Sequence, residues 1–244
     1  MIIIAHRCGP EVYPQLTVAA AKSATAAGAA YVEIDIRYTA DGLPVVNHDD
    51  SAQFLFGCPR KISELTSTEF LALRHKTNPA FPAHSFEHFL QCGVKNILFH
   101  IKEGGEPLKK VLALCRQYDA ESSVVFGVQR TEDVRLVKEF NPNIGVLAFM
   151  PGANDSSGIE ANIRAFSQAG ADYIRLWEKW EVEALAPTVR QCGKKIWIMA
   201  NNPEVEPLDC GYTSAKALRY WRDFGIDGIL VNNPTFAQYA LHKK

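Results

Sequence analysis

The chain has 244 residues, 47% of them apolar, and its net charge of −1 comes from acidic and basic residues scattered along its length. Scattered charge gives no basic face for nucleic acid, and no apolar run approaches the ~18 residues that a membrane span needs. The N-terminus lacks the pattern of a secretory signal, and six cysteines lie far apart without a Cys-x-x-Cys pair. We therefore expect a cytoplasmic protein with free thiols. The sequence carries no signal for an oligomeric state.

The first part of the chain predicts short strands around one helix. A strand runs from Ile2 into His6, and an alanine-rich helix over 17–27 ends at Gly28, a residue favoured at helix C-termini. A second strand at 31–38 alternates apolar and polar residues. The connection at 39–42 is too short for a crossover helix, so it predicts a hairpin-like pair with a third strand at 43–47. Residues 50–94 then predict a partly helical insertion, with helices at 63–74 and 85–92.

From residue 94 onward, strands and helices of ordinary length alternate regularly. Strands are predicted at 96–102, 123–128, 144–150, 173–177, 196–200 and 228–231. Helices are predicted at 107–118, 131–140, 157–169, 180–192 and 214–224. This alternation is typical of a parallel sheet with right-handed crossovers. We predict an α/β fold, a single TIM-type (β/α)₈ barrel of residues 1–244 with the 50–94 insertion after the third strand. The sequence has nine candidate strands, whereas a closed (β/α)₈ barrel has eight. It stays open whether strand two or strand three completes the ring.

Two histidines come at the ends of predicted strands. His6 follows the first strand and His48 follows the third. Catalytic groups in barrels lie at the C-terminal ends of strands, and imidazoles act as general base and general acid near neutral pH. Each ring alone could instead hydrogen-bond a loop, but two at equivalent positions favour catalysis. The histidines outside the strands are expected at the surface: His75, His84, His88 and His242.

Two carboxylates share one face of the second strand. Glu33 and Asp35 are two residues apart, so both point to the same side of the sheet. Inside a barrel they would repel each other unless a cation or an arginine compensates. The alternatives are a divalent cation site and a structural ion pair with Arg37.

Strand four repeats this arrangement of polar residues. His100 and Lys102 stand at its end, and Lys102 with Arg7 would supply fixed positive charge to an anionic ligand. Two histidines, a cation site and two permanent cations together indicate phosphate-ester chemistry. Weaker candidates for pocket residues lie near later strand ends, and for the two tryptophans core packing is about equally expected: Arg175, Trp177, Trp197 and Asn201.

Taken together, these motifs resemble the glycerophosphodiester phosphodiesterase family. The resemblance rests on Ala5-His6-Arg7, Glu33-Ile34-Asp35, Asp41-Gly42 and Val45-Val46-Asn47-His48-Asp49, and it extends in order to Gly225-Ile226-Asp227-Gly228-Ile229. It implies a TIM-type barrel that hydrolyses a phosphodiester with Mg²⁺ or Ca²⁺ and releases an alcohol from glycerol 3-phosphate. It also implies roles for single residues: His6 and His48 in catalysis, Arg7 and Lys102 at the phosphate, and Glu33 and Asp35 at the metal.

The chain departs from the family pattern at several positions. Gln15 stands where the family usually has glutamate, and Cys8 where it usually has glycine. The metal-binding glutamate of strand four is replaced by His100, whose nitrogen would favour Mn²⁺ or Zn²⁺. Gly127-Val128 replaces a usual Ser-Phe, and Asn232 replaces a usual aspartate.

The sequence thus predicts a metal-assisted hydrolase of a small phosphodiester substrate, with one histidine as base and the other as acid. The assignment between the two rings stays open. Because two family glutamates are lost, a degenerate member that binds a phosphate ligand without turnover is one alternative. A lyase that gives a cyclic phosphate is another. An unrelated aldolase or isomerase that uses Lys102 is the least favoured.

Overall fold

A closed barrel of parallel strands forms the centre of the computed structural model, which describes residues 1–152, 155–207 and 209–242. The nine strands in these ranges are β1 (Ile2–Ala5), β2 (Tyr31–Tyr38), β3 (Pro44–Val46), β4 (Ile97–Ile101), β5 (Val124–Val128), β6 (Gly145–Ala148), β7 (Tyr173–Trp177), β8 (Lys195–Met199) and β9 (Gly228–Val231). Eight of them run parallel in the order β1, β2, β4, β5, β6, β7, β8, β9, and β9 pairs with β1 to close the ring. The predicted TIM-type barrel is confirmed.

The structure decides which strand completes the ring. β3 pairs antiparallel with β2, with Val46 opposite Ile36, and has no other strand neighbour. β2 pairs in parallel with both β1 and β4 and is therefore the ring member. Gly42 takes a φ of +74° in the tight connection between β2 and β3, a conformation that glycine adopts without steric cost.

Helices surround the barrel. Those of the described ranges are α1 (Val18–Ala26), α2 (Gln53–Phe56), α3 (Ser67–Ala72), α4 (Phe86–Gln91), α5 (Glu106–Gln117), α6 (Thr131–Phe140), α7 (Ser156–Ala169), α8 (Val182–Gln191), α9 (Ala215–Phe224) and α10 (Pro234–His242). In α5 the buried residues follow the helical repeat and face the barrel: Leu108, Val111, Leu112 and Cys115. α10 is not among the predicted helices. None of the described helices is long and apolar enough to cross a bilayer.

Large side chains fill the lower interior of the barrel, towards the N-terminal ends of its strands. Trp197 is 1% exposed, and its ring lies 4.4 Å from that of Tyr173 and 5.6 Å from that of Tyr31. Both tyrosines begin their strands, so this packing closes the bottom of the barrel. Space for a ligand is therefore expected at the opposite end, where the strands have their C-termini.

The segment between β3 and β4 packs around a small apolar cluster of its own. The buried members are Val45, Ala52, Ile62, Leu65, Phe70 and Ala83. His75, expected at the surface, is instead 6% exposed; its Nδ1 lies 2.9 Å from the Thr77 hydroxyl and its ring packs edge-on against Phe56. That residues 50–94 are an insertion within a single domain stays a prediction.

Candidate active site

A cavity of about 360 Å³ opens at the C-terminal ends of the barrel strands. Nine sequence-predicted residues line it: His6, Arg7, Glu33, Asp35, His48, His100, Lys102, Arg175 and Trp177. Two others do not. Trp197 belongs to the closed bottom of the barrel, and the backbone N–H of Asn201 donates to Glu178 at 2.9 Å outside the lining. Trp197 lies in the middle of β8 and Asn201 follows its end, and neither is among the residues that line this cavity.

The acidic pair lies beside His100 because β2 and β4 are neighbours in register. Asp35 is opposite His100, and Glu33 is one inward-facing position earlier. Ligand atoms of Glu33, Asp35 and His100 all lie within 4.8 Å of one another. This is a spacing at which one metal ion can contact all three.

Burial and the neighbouring charges shift the pKa values of Glu33 and Asp35 in opposite directions. Burial and the neighbouring Asp35 charge raise the pKa of Glu33 to about 8. Burial alone would raise the pKa of Asp35 as well, but the Lys102 charge and a hydrogen bond from His100 hold it well below its usual range. The Asp35 carboxylate is therefore the fixed negative charge of the cavity.

Arg37 is not the partner of these acids. Its guanidinium forms an ion pair with Glu103 at 2.5 Å and donates to the His48 carbonyl at 2.9 Å. The positive charge beside Asp35 comes from Lys102 Nζ at 2.9 Å and Arg7 Nε at 3.9 Å. The ion pair considered from the sequence is therefore formed with Lys102 and not with Arg37.

A strained turn sets the position of Arg7. The residues after β1 form one 3-10 turn, in which Arg7 has φ +47° and Cys8 has φ +68°. Non-glycine residues in this region cost of order 1 kcal/mol or more each, and Cys8 occupies the position where glycine is usual in the resembling family. The turn directs the Arg7 N–H to Glu33 Oε2 at 2.7 Å and its side chain to Gln15 Oε1 at 3.3 Å.

His6 faces an amide. Its Nδ1 donates to Asn232 Oδ1 at 2.7 Å, which leaves Nε2 as the proton-accepting nitrogen of the neutral ring. Burial and the Arg7 charge lower the pKa of His6 to about 4. His6 is therefore neutral at physiological pH. Asn232, which follows β9, was named from the sequence only as a departure from the family pattern; its place at a strand end was the signal for a site residue.

His48 faces a carboxylate instead. Its Nδ1 donates to Asp49 Oδ1 at 2.7 Å, and its side chain is 33% exposed. Burial, with the Lys102 and Arg7 charges, lowers the pKa of His48, while the Asp35 charge and the hydrogen bond to Asp49 act in the opposite direction. Of the two rings, His48 is the one whose partner stabilises the charged form.

His100 is held on several sides. Its Nδ1 lies 2.9 Å from Asp35 Oδ1 and 3.1 Å from Lys102 Nζ, and the Gln129 amide nitrogen lies 3.1 Å from its Nε2. Phe149 stacks on the imidazole with centroids 3.9 Å apart and planes 13° apart. A Cβ at Gly127 would lie 2.4 Å from the Phe149 ring, so the glycine there makes room for the stack. Burial and Lys102 lower the pKa of His100 to about 3. Gln129 and Phe149 were not predicted from the sequence.

The comparison with known proteins identifies the class. Residues 6–143, more than half of the chain, match the sequence profile of the Glycerophosphoryl diester phosphodiesterase family. The chain belongs to this family of phosphodiester hydrolases.

Two curated relatives show the extent of the likeness. The chain is 27% identical over 248 residues to "Glycerophosphodiester phosphodiesterase" of Caldanaerobacter subterraneus subsp. tengcongensis, covering 96% of this chain and 94% of that protein. It is 31% identical over 123 residues to "Glycerophosphodiester phosphodiesterase 1" of Bos taurus, covering 47% of this chain. The matched region spans only 37% of the bovine protein's length.

Solved structures share the fold at low identity. A glycerophosphoryl diester phosphodiesterase from Parabacteroides distasonis superimposes with a TM-score of 0.78 at 22% identity, over 98% of this chain and 85% of that one. A glycerophosphodiester phosphodiesterase from Thermotoga maritima gives a TM-score of 0.75 at 21% identity, over 98% and 97%. At these identities the likeness establishes the barrel architecture.

Proposed function

We propose that this chain hydrolyses glycerophosphodiesters with the help of a divalent metal ion, giving an alcohol and a phosphomonoester such as glycerol 3-phosphate. The observation that carries the proposal is the convergence of His6 and His48, from the ends of different strands, on one cavity that also holds the acidic pair. Each ring has its Nδ1 fixed by a hydrogen bond, so Nε2 is the nitrogen available for proton transfer.

The three predicted ligands fit a metal ion by their chemistry. Two carboxylates and one imidazole lie within 4.8 Å of one another, and Asp35 Oδ2 is buried without a hydrogen-bond partner. Burying an unsatisfied carboxylate oxygen is costly unless a cation compensates. Glu33, Asp35 and His100 would hold the ion, which would supply positive charge for the phosphate oxygens as charge builds on them.

We infer different roles for the two histidines from the groups that face them. His6, with its low pKa and neutral amide partner, takes the proton from the attacking water, whose oxygen bonds to phosphorus as the bond to the leaving alkoxide breaks. His48, beside the Asp49 carboxylate, carries a proton more readily and gives it to the departing alkoxide. Proton transfers of this kind contribute about 10²–10⁴-fold each to rate.

Arg7 and Lys102 complete the arrangement as phosphate-binding cations. Both line the cavity, and both are held in place by contacts with Asp35. Permanent positive charge at this position would stabilise the anionic transition state.

Phosphorus NMR of the first product tests the proposal. The purified chain with Mn²⁺ and a glycerophosphodiester should give glycerol 3-phosphate directly. A transient cyclic phosphate would show that a substrate hydroxyl is the nucleophile, as in the lyase alternative. Ligand binding without any product, under each of Mg²⁺, Ca²⁺, Mn²⁺ and Zn²⁺, would contradict turnover and favour the degenerate family member.

The imidazole at position 100 should decide which metal binds. A nitrogen donor favours transition metals, so we expect Mn²⁺ or Zn²⁺ to bind at least about tenfold more tightly than Ca²⁺. His100→Glu restores an all-oxygen ligand set and should lower that ratio by about tenfold. Calorimetric titration of each metal measures both values. His242→Glu, an exposed change on α10, should leave the ratio unchanged, and an unchanged ratio in His100→Glu would show that His100 is not a ligand.

A further inference from the structure

One cation of the cavity has no acidic partner. Arg175 is the central residue of β7 and is 5% exposed, and its Nε and Nη1 atoms are buried without hydrogen-bond partners. Within the described ranges no carboxylate forms an ion pair with it. Burial accordingly lowers the pKa of Arg175 to about 9. A guanidinium buried without compensation is costly, and its unsatisfied N–H groups require acceptors.

Aromatic rings surround this guanidinium. Its central carbon lies 4.5 Å from the ring centre of Trp177, 5.2 Å from that of Phe149 and 5.8 Å from that of Trp180. Such rings attract a cation through their faces but offer no strong acceptor to the N–H groups. They hold Arg175 in the cavity while leaving its hydrogen-bonding capacity unused.

The other two cations of the cavity differ from Arg175 in this respect. Lys102 lies 2.9 Å from Asp35, and Arg7 contacts both Asp35 and Gln15. They belong to the acidic end of the cavity, where the proposed function places the phosphate. Arg175 stands on the β7 side, and the Phe149 ring, which stacks on His100, also contacts Arg175. One substrate molecule can therefore reach both places.

We propose that Arg175 binds a second anionic group of the substrate, carried by the alcohol that leaves. This inference rests on the proposed function and adds the substrate class: glycerophosphodiesters whose head group bears a carboxylate or a further phosphate. The planar guanidinium can donate two parallel hydrogen bonds to two oxygens of such a group. A quaternary ammonium head group is disfavoured, because the aromatic surfaces that would receive it already hold a cation.

A pair of matched substrates tests the assignment. Glycerophosphoserine and glycerophosphoethanolamine share the glycerol phosphate and a primary ammonium, and they differ only in the head-group carboxylate. We expect wild type to prefer the serine ester in kcat/KM by about tenfold or more. Arg175→Met should lower kcat/KM for the serine ester by about 10- to 100-fold and for the ethanolamine ester by less than about threefold. Arg175→Lys should retain part of the preference. Arg164→Met, an exposed change on α7, should alter neither value.

Other results would overturn the assignment. Equal losses on both substrates in Arg175→Met would mean that the guanidinium contacts the scissile phosphate or supports the fold. Equal turnover of both esters by wild type would also contradict the assignment of Arg175. Thermal unfolding separates a structural role, because removal of an unpaired buried charge should not lower the melting temperature, whereas loss of a structural contact should.

A binding measurement keeps this inference distinct from the proposed function. Calorimetric titration of both esters into a His48→Ala background requires no turnover. If wild type hydrolyses neither ester, the proposed function fails, but tighter binding of the serine ester that disappears with Arg175→Met would still support the anion site. Equal binding of the two esters would contradict it.

Discussion

Replacing His6 or His48 with alanine is expected to lower kcat on a glycerophosphodiester by about 10²–10⁴-fold each, with a much smaller change in KM. Each ring is placed to move one proton, and alanine leaves no group that can replace it. Because base and acid act in the same step, the double variant should lose less than the product of the two single losses. Steady-state kinetics with saturating metal measure these values.

A third histidine supplies the control for this prediction. His84 is half-buried and does not line the cavity, and its ring packs edge-on against His88 and Phe89. His84→Ala should therefore leave kcat within about twofold of wild type, since the substituted ring does not reach the cavity. A rate close to wild type in His6→Ala or His48→Ala would exclude the two-histidine mechanism.

The pH profile should identify His6 as the base. A base works only when neutral, and the pKa of His6 is lowered to about 4, so the acid limb of kcat/KM should lie near pH 4. Asn232→Asp places a carboxylate on Nδ1, stabilises the imidazolium and raises that pKa. The acid limb should then move to higher pH, so that activity falls at pH 5. Asn143→Asp, an exposed change, should not move it; an unmoved limb in Asn232→Asp would assign the base elsewhere.

The second large effect is expected from Asp35→Asn. Asp35 is 1% exposed and contacts Lys102 and His100 at 2.9 Å each, with Arg7 at 3.9 Å. The amide keeps the shape but removes the charge that compensates Lys102, and breaking a buried pair costs about 3–5 kcal/mol. We expect the free energy of unfolding at pH 7 to fall by about that amount in EDTA, and tight metal binding to be lost. Denaturant unfolding and metal titration measure the two effects.

An exposed aspartate gives the matched comparison. Asp223 pairs with Arg222 on the surface of α9, where ion pairs contribute little, so Asp223→Asn should change the free energy of unfolding by less than about 0.5 kcal/mol. Unchanged stability and metal binding in Asp35→Asn would show that Asp35 is not the fixed charge of the site.

The hydrophobic pattern of the chain was enough to predict the barrel. Strand β7 and strand β9 begin and end at the predicted residues, and helix α6 does as well. These segments are buried on one or both faces, so their apolar repeat is strong. The helix predicted at 63–74 is shorter, because its first residues form a separate turn at Ile62–Glu64 before α3 begins. α10 was missed because nothing in the predicted alternation required a helix after the last strand.

The sequence alone determined that the polar groups lie at the C-terminal ends of parallel strands. These strand ends meet at one end of the barrel. Only the tertiary structure decided the partners of these polar groups. Asn232 reaches His6 across 226 positions of sequence, Phe149 stacks on His100 because Gly127 lacks a side chain, and Arg175 is left without a carboxylate. The alternation of a strand is a local property, so a few consecutive residues are enough to predict it. Hydrogen-bond partners, burial and pKa values depend on what closure of the ring brings together, and that is set by the whole fold.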